Sequence, residues 1–228
     1  MPNLFYCSNE RFYNQGQVCC ATTRIYVHES IKDKFTEEFA KFTLSNKVGN
    51  PFDEDTYQGP QISKVQFDKV NDYIKLGKKE GAKLLIGEEA KSADNGFFIQ
   101  PHIFTDVKPS MRVPIPPQIT ANKISREEIF GPVCVIMTFT DEKEVIDAAN
   151  DTDYGLAASI FTKDIERGHR VAKKLQAGSV WINSSGDNLF QMPFGGYKNS
   201  GIGRELGEYG LENYTQVKAV YVNLGNRL

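Results

Sequence analysis

Strand-like and helix-like patterns alternate along most of this chain, and the alternation limits the folds that it can adopt. Short runs rich in β-branched and apolar residues predict strands, and apolar residues three to four apart predict amphipathic helices between them. The predicted strands are residues 23–27, 83–86, 97–104, 133–139, 157–161, 179–182 and 217–224, and the predicted helices are residues 31–42, 63–81, 142–150, 164–175 and 204–214. This order favours an α/β domain with an open, largely parallel, twisted sheet and flanking helices.

Two segments fall outside the alternating pattern. Residues 1–13 are aromatic and polar, without a strand or helix period. Residues 113–123 begin with three prolines within five residues. Because proline removes a backbone donor and blocks helix formation, we expect an extended surface loop there.

The composition excludes several classes of function. The apolar and charged fractions, 40% and 25%, are those of an ordinary globular protein, and the net charge of −2 with no basic run gives no case for binding nucleic acid or a membrane. No motif with metal-ligand spacing occurs, so we expect no metal site. Residues 1–15 contain no apolar core of a signal peptide. Four cysteines without regular spacing suggest free thiols and a cytoplasmic location, with the mitochondrial matrix as the alternative.

The polar turn Asn14-Gln-Gly-Gln-Val leads into two adjacent cysteines, Cys19 and Cys20. Neighbouring Cα atoms are about 3.8 Å apart, closer than a disulfide prefers, so the two thiols are not expected to bridge. Burial statistics favour structural thiols, but a nucleophilic cysteine with a lowered pKa is the open alternative. Cys7 and Cys134 are taken as structural.

Glu127 and Glu128 precede the segment Ile-Phe-Gly-Pro, and on a strand their side chains would point to opposite sides. One of them could therefore face a site, with Phe130 as an aromatic wall, and the alternatives are a solvated pair of glutamates and a core ring. The glycines of residues 195–203 do not have the spacing of a dinucleotide fingerprint, so we reject a phosphate-binding loop there.

Five segments in one order together resemble the aldehyde dehydrogenase superfamily, over roughly residues 12–222. They are Asn-Gln-Gly-Gln-Val-Cys-Cys-Ala from residue 14, Glu-Glu-Ile-Phe-Gly-Pro-Val from 127, Asn-Asp-Thr-Asp-Tyr-Gly-Leu-Ala from 150, Gly-Ser-Val-Trp-Ile-Asn from 178, and Pro-Phe-Gly-Gly-Tyr-Lys-Asn-Ser-Gly-Ile-Gly-Arg-Glu from 193. The resemblance is to the NAD(P)-dependent enzymes of fungi and animals that oxidise general aliphatic aldehydes. Removing residues 113–123 restores the family pattern without a gap, so we treat them as an inserted loop.

The resemblance implies roles for particular residues. Cys19 matches the catalytic nucleophile, which would form a thiohemiacetal with an aldehyde, lose hydride to NAD or NADP and leave a thioester for water to cleave. Glu128 and Phe130 match residues that hold the nicotinamide ribose and ring. Phe194 matches a wall of the substrate tunnel. Asp187 begins the variable loop of residues 187–192 that shapes the tunnel. Asn188 stands where many relatives have an aromatic ring, which implies a more polar pocket.

The resemblance also implies that much of an active enzyme is missing. Family members are roughly twice this length, and the first half supplies the cofactor-binding domain, an oxyanion-hole asparagine and the glutamate base. We therefore expect that this chain alone is not a competent dehydrogenase. The implied organisation is an atypical segment (residues 1–13), a catalytic domain (residues 14–214) and an oligomerisation strand with a tail (residues 215–228).

The implied partners are a small aldehyde and either identical chains or full-length subunits. A non-catalytic fragment that pairs with full-length subunits through the last strand is the alternative function. A thiol protease or thioesterase is a distant third, because no histidine is placed by the sequence to activate Cys19.

Overall fold

The computed structural model describes residues 10–88, 96–107 and 123–225, and its centre is a mixed sheet. Within these residues four strands form the sheet: β1 (Arg24–His28), β2 (Lys83–Ile86), β3 (His102–Thr105) and β4 (Val133–Phe139). Their order is β1-β4-β3-β2, and β4 runs parallel to both β1 and β3, whereas β2 is antiparallel to β3. The predicted open, largely parallel α/β sheet is therefore confirmed.

Two smaller sheets complete the β-structure of the described chain. β5 (Tyr154–Gly155) pairs antiparallel with β8 (Tyr197–Lys198), and β6 (Ala157–Ile160) pairs parallel with β7 (Ser179–Ile182). These pairs are not hydrogen-bonded to the four-stranded sheet. The sequence pattern did not predict this interruption, because local periodicity carries no information about which strands are neighbours.

Besides the helical residues 10–12, five α-helices flank the strands in the described chain: α1 (Lys32–Leu44), α2 (Lys64–Lys79), α3 (Lys123–Arg126), α4 (Glu142–Asn150) and α5 (Ile165–Ala172). Local capping explains where three of them begin. The side chains of Ser63, Asp141 and Asp164 accept hydrogen bonds from backbone N–H groups in the first turns of α2, α4 and α5, which satisfies donors that have no partner within the helix.

The core lies on both faces of the four-stranded sheet, as expected for a strand with parallel neighbours on each side. Val133, Val135 and Met137 of β4 pack in one apolar cluster with residues of α2, whereas the alternate residues Cys134 and Ile136 pack in a second cluster with residues of β1 and α1. Successive side chains of a strand point to opposite faces, which produces this division. The structural role predicted for Cys134 fits its 1% exposure.

Three predicted elements differ in the structure. The predicted helix at 204–214 is a 3₁₀ helix, Glu208–Tyr214, and the predicted strand at 97–104 is limited to β3. The predicted strand at 217–224 is wrong for the chain as described, since these residues have no assigned secondary structure and are exposed. A strand requires hydrogen bonds to a neighbour, and the described part of the chain provides none for this segment. Cys7 and most of the proposed insertion at 113–123 lie outside the described residues.

A glycine contact joins the N-terminal turn to the start of β4. Gly16 has φ +70°, and a Cβ placed on it would overlap the carbonyl oxygen of Gly131. A Cβ on Gly131 would in turn overlap the side chain of Val70 on α2. The turn, the segment before β4 and α2 are therefore packed at distances that only glycine permits.

Among the described helices none is long and apolar enough to cross a membrane.

We predict that Gly16→Ala destabilises the protein by about 1–3 kcal/mol more than Gly81→Ala, because overpacking adds to backbone strain only at residue 16. Gly81 is the matched control, since its φ is +86° but no atom lies within 4 Å of an added Cβ. Urea unfolding of both variants and the wild type measures the difference. Equal losses in the two variants would contradict this account of the packing.

Candidate functional site

The turn that carries the two cysteines has an unusual backbone. Asn14 and Gln15 have φ values of 48° and 59°, so three successive residues, including Gly16, are in the left-handed region. The N–H of Gln17 donates to the carbonyl of Asn14 at 3.0 Å, and the Asn14 side chain donates to the carbonyl of Gln17 at 3.1 Å. Left-handed conformations of non-glycine residues cluster at functional sites.

The two cysteines at the end of this turn differ in environment. Cys19 is exposed, whereas Cys20 is partly buried. Burial, together with the neighbouring Cys19 and Glu10, raises the pKa of Cys20 to about 11, and burial raises the pKa of Cys134 to about 12. With these pKa values Cys20 and Cys134 remain protonated at neutral pH. They are therefore mostly not in the thiolate form, which is the reactive one. Cys19 is the accessible one of the three.

Arg11 connects this turn to the start of β4 from inside the core. It is fully buried, and its Nε donates to the carbonyl of Val133 at 3.1 Å. One terminal nitrogen of its guanidinium also donates to the carbonyls of Gly131 and Val133. Burial lowers the pKa of Arg11 below its ordinary value. No sequence pattern indicated this role, since Arg11 lies in the segment that has no recognisable pattern.

The segment of Glu127–Phe130 is held by residues of α2. Gln66 donates to the carbonyls of Ile129 and Phe130, at 3.1 and 2.6 Å, and the Lys69 ammonium donates to the carbonyl of Glu128 at 3.1 Å. Phe130 itself has φ 58°, a conformation that needs such support. Gln66 and Lys69 were not predicted as site residues, because only the tertiary structure brings α2 to this segment.

The two adjacent glutamates have different surroundings. The Tyr73 hydroxyl of α2 donates to the Glu127 carboxylate, and Glu128 is exposed. Burial, followed by the hydrogen bond to Glu127, raises the pKa of Tyr73 to about 12, so the hydroxyl keeps its proton. Both glutamates are exposed to solvent, and Tyr73 holds the side chain of Glu127.

Cys19, Glu128 and Phe130 line one crevice of about 1610 Å³. Strands β1 and β6 form part of its walls, and Trp181 and Asn183 also contribute. The structure thus brings the predicted nucleophile and the two predicted cofactor residues together.

The predicted substrate residues Asp187, Asn188 and Phe194 are not among the residues that line this crevice. Asp187 and Asn188 are exposed, and Phe194 is partly buried. The indole N–H of Trp181 donates to the Asp187 carbonyl at 3.0 Å, which ties the start of the 187–192 loop to β7 next to the crevice.

Glu10 lies behind the cysteine pair and contacts the beginning of the same loop. Its Oε2 accepts a hydrogen bond from the Thr22 hydroxyl at 3.1 Å, and a Cβ on Gly186 would lie 3.5 Å from Oε1. Oε1 is buried without a hydrogen-bond partner in the described part of the chain. Burial, opposed by Thr22 and Arg11 and reinforced by Asp187, raises the pKa of Glu10 from 4.5 to about 7. No sequence pattern indicated this carboxyl, because Glu10, like Arg11, lies in the segment without a strand or helix period.

No cluster of three or more His, Cys, Asp or Glu side chains suited to a metal ion occurs in residues 10–88, 96–107 and 123–225.

Comparison with known proteins extends these observations. The sequence model of the aldehyde dehydrogenase family matches residues 5–220. Aldehyde dehydrogenase from Emericella nidulans is 51% identical over 217 residues, which are 95% of this chain and 41% of that protein. The mitochondrial aldehyde dehydrogenase of Rattus norvegicus is 51% identical over 213 residues, 93% of this chain and 39% of that protein.

Solved structures agree with the sequence comparison. An NAD-dependent aldehyde dehydrogenase from Sinorhizobium meliloti superposes with a TM-score of 0.90 at 36% identity, over all of this chain and 43% of that one. Betaine aldehyde dehydrogenase from Staphylococcus aureus, solved in complex with NAD⁺, gives a TM-score of 0.88 at 41% identity, over 99% of this chain and 43% of that one. The chain belongs to the aldehyde dehydrogenase family and spans about two fifths of the length of these relatives.

We predict that a thiol-alkylating reagent modifies Cys19 before Cys20 and Cys134, because Cys19 is exposed and the other two are partly or fully buried with raised pKa values. Peptide mass spectrometry over a time course of iodoacetamide treatment measures the order. In Cys19→Ser the fast modification among these three sites should disappear. Equal rates at Cys19 and Cys20 would contradict the burial argument.

We also predict that wild-type stability falls relative to Glu10→Gln as pH rises from about 4.5 to about 7. The folded state holds the Glu10 proton more tightly than the unfolded chain does, so folding becomes less favourable once the unfolded chain has lost that proton. The difference is at most about 3 kcal/mol. Urea unfolding of both proteins at pH 5 and pH 8 measures it. Glutamine removes the titration but keeps an oxygen for Thr22, and parallel pH profiles would contradict the prediction.

Proposed function

We propose that Cys19 is the nucleophile of an NAD(P)-dependent aldehyde oxidation, of which this chain carries one part. The observation that carries the proposal is the position of Cys19, an exposed thiol at the end of a left-handed turn, in the wall of a crevice that also contains Glu128 and Phe130. Family membership supports an aldehyde as the substrate. A thiolate that adds to a carbonyl carbon divides a difficult oxidation into easier steps.

In the proposed reaction the Cys19 thiolate forms a C–S bond to the aldehyde carbon, and the carbonyl oxygen takes the negative charge. The backbone N–H of Cys19 is proposed to donate a hydrogen bond to that oxygen. Cys20 does not compete for the aldehyde, because its pKa of about 11 keeps it protonated. Loss of hydride from that carbon to bound NAD or NADP would leave a thioester, and water would cleave the thioester to a carboxylic acid and the Cys19 thiol.

The residues of the crevice fit the nicotinamide end of a dinucleotide. Glu128 offers an exposed carboxylate that can accept hydrogen bonds from ribose hydroxyls, and Phe130 offers a flat ring on a backbone that Gln66 supports. When bound, NAD or NADP accepts the hydride that the oxidation removes. Glu128 and Phe130 would therefore position the cofactor beside Cys19.

Asp187, Asn188 and Phe194 are proposed to shape the entrance for the aldehyde. Their support is the hydrogen bond from Trp181, a residue of the crevice wall, to Asp187 at the start of the 187–192 loop. The polar Asn188 would favour aldehydes that carry polar groups.

A second candidate function is that of a non-catalytic chain that associates with full-length subunits. The observation that favours it is the exposure of apolar residues in the C-terminal segment, including Val217, Tyr221 and Leu224 at 104%, 93% and 87%. Association through this segment would not depend on catalysis by Cys19.

The free thiols described here fit either the cytoplasm or the mitochondrial matrix.

We predict that the purified chain does not oxidise aldehydes with NAD or NADP, because it spans only about two fifths of its relatives. Reduction of the cofactor, followed by absorbance, is the measurement, with Cys19→Ala and Cys20→Ala as paired variants. Turnover that is lost in Cys19→Ala and retained in Cys20→Ala would contradict the predicted inactivity but support the role of Cys19.

The role of Cys19 has its own test. Joining the N-terminal part of the Emericella nidulans relative ahead of residue 14 should produce turnover that Cys19→Ala abolishes and Cys20→Ala largely preserves. Turnover that survives Cys19→Ala would show that another group is the nucleophile.

A further inference from the structure

The carboxyl group of Glu10 lies between two segments that are far apart in the sequence. On one side is the cysteine segment, residues 14–22, where the Thr22 hydroxyl donates a hydrogen bond to Oε2 of Glu10 at 3.1 Å. On the other side is Gly186, on which a Cβ would lie 3.5–3.6 Å from Oε1, Cδ and Cγ of Glu10. Glu10 therefore bridges the cysteine segment and the residue before the 187–192 loop.

The position of this carboxyl favours its neutral form. Oε1 is buried and has no hydrogen-bond partner among the described residues, and burial of such an oxygen costs much more free energy when the group is charged. Asp187, on the loop side, opposes a negative charge on Glu10, whereas Arg11, the next residue, favours it. Cys20 faces Glu10 from the cysteine segment, but its thiol, with a pKa of about 11, is neutral near pH 7. Burial has the largest effect, and it raises the pKa of Glu10 to about 7.

The chain is anchored on both sides of the point where Glu10 contacts it. Just before Gly186, the hydroxyl of Ser185 is hydrogen-bonded to the hydroxyl of Ser159 on β6, at 2.6 Å. Further along, the carbonyl of Phe190 accepts a hydrogen bond from the N–H of Gly207 at 3.0 Å. Residues 186–189, between these anchors, are exposed.

Residues 186–189 have a flexible start and a built-in reporter. Gly186 has φ +73°, and glycine adopts a changed backbone direction more readily than other residues. The indole N–H of Trp181 donates to the carbonyl of Asp187 at 3.0 Å. Because Trp181 is the only tryptophan of the chain, its fluorescence would report a movement of these residues.

We propose that Glu10 holds residues 186–189 against the cysteine segment while its carboxyl carries a proton, and that loss of the proton releases them. Release hydrates the charged carboxylate and separates it from Asp187. The contact weakens as pH rises from about 4.5, the ordinary pKa of this carboxyl, to about 7, its pKa in the contact. The consequence for aldehyde entry rests on the proposed function of the 187–192 loop, but the release itself does not.

The fluorescence of Trp181 tests the proposal on the purified chain, without aldehyde or cofactor. Wild-type emission should change in one transition between about pH 4.5 and pH 8. Glu10→Gln keeps an oxygen for Thr22 but does not ionise, so it should retain the low-pH emission throughout. Glu29→Gln, a change of an exposed glutamate on another segment, should behave as the wild type. A constant wild-type emission, or a transition that persists in Glu10→Gln, would overturn the proposal.

Two further variants test the proposal even if Glu10→Gln does not fold. Asp187→Asn removes a charge that opposes ionisation of Glu10 but keeps the carbonyl that Trp181 contacts, so the midpoint of the transition should move to lower pH. Thr22→Val removes a hydrogen bond that favours the ionised form, so the midpoint should move to higher pH. Midpoints that stay unchanged or move in the same direction would contradict the role of Glu10.

Limited proteolysis with chymotrypsin separates release of the loop from a change of charge near Trp181. Leu189 and Phe190 are exposed apolar residues, and cleavage after them, identified by mass spectrometry, follows the population of the released loop. The ratio of the wild-type to the Glu10→Gln cleavage rate should be up to about tenfold larger at pH 8 than at pH 6, given pKa values of about 7 in the contact and 4.5 after release. Equal ratios at the two pH values would overturn the proposal.

Discussion

The contact between Gly16 and Gly131 is the constraint on which the site depends. It brings a strained turn at the N-terminal end of the described chain against the residues that lead into β4, at a distance that excludes a Cβ on Gly16. Arg11 strengthens the contact by donating to the carbonyls of Gly131 and Val133 from a fully buried position. Since β4 is bonded to β1 and β3, the turn takes its position from the centre of the sheet.

Burial then assigns different properties to chemically identical side chains. The side chain of Cys134 points from β4 into the core, and Cys20 is partly buried, so both thiols have raised pKa values. Cys19, one residue away from Cys20, is exposed in the crevice. The same effect acts on Glu10, whose carboxyl is largely withdrawn from water and keeps its proton to about pH 7. Desolvation, more than any single charge, therefore sets the chemistry around the turn.

Local patterns predicted the elements that have strong periodicity or clear caps. β2, β4, α4 and β7 have the predicted boundaries, and Asp141 caps α4. The segment at 217–224 was predicted as a strand from its β-branched composition, but strand formation depends on a neighbour that composition does not supply. Gln66, Lys69, Arg11 and Glu10 could not be found in this way, because their roles come from contacts between segments far apart in the sequence. The boundaries of the proposed catalytic domain, at residues 14 and 214, remain a prediction.

By itself the sequence determined the α/β class, the order of strands and helices and, through five ordered motifs, the family. These properties follow from side-chain periodicity, capping residues and short motifs, all of which are local. Only the tertiary structure decided that Cys19 is exposed while Cys20 is not, that Glu128 and Phe130 share its crevice, and that the edges of β1 and β6 border the same space. The physical reason is that burial and strand pairing are properties of neighbours in space, which a linear pattern does not specify.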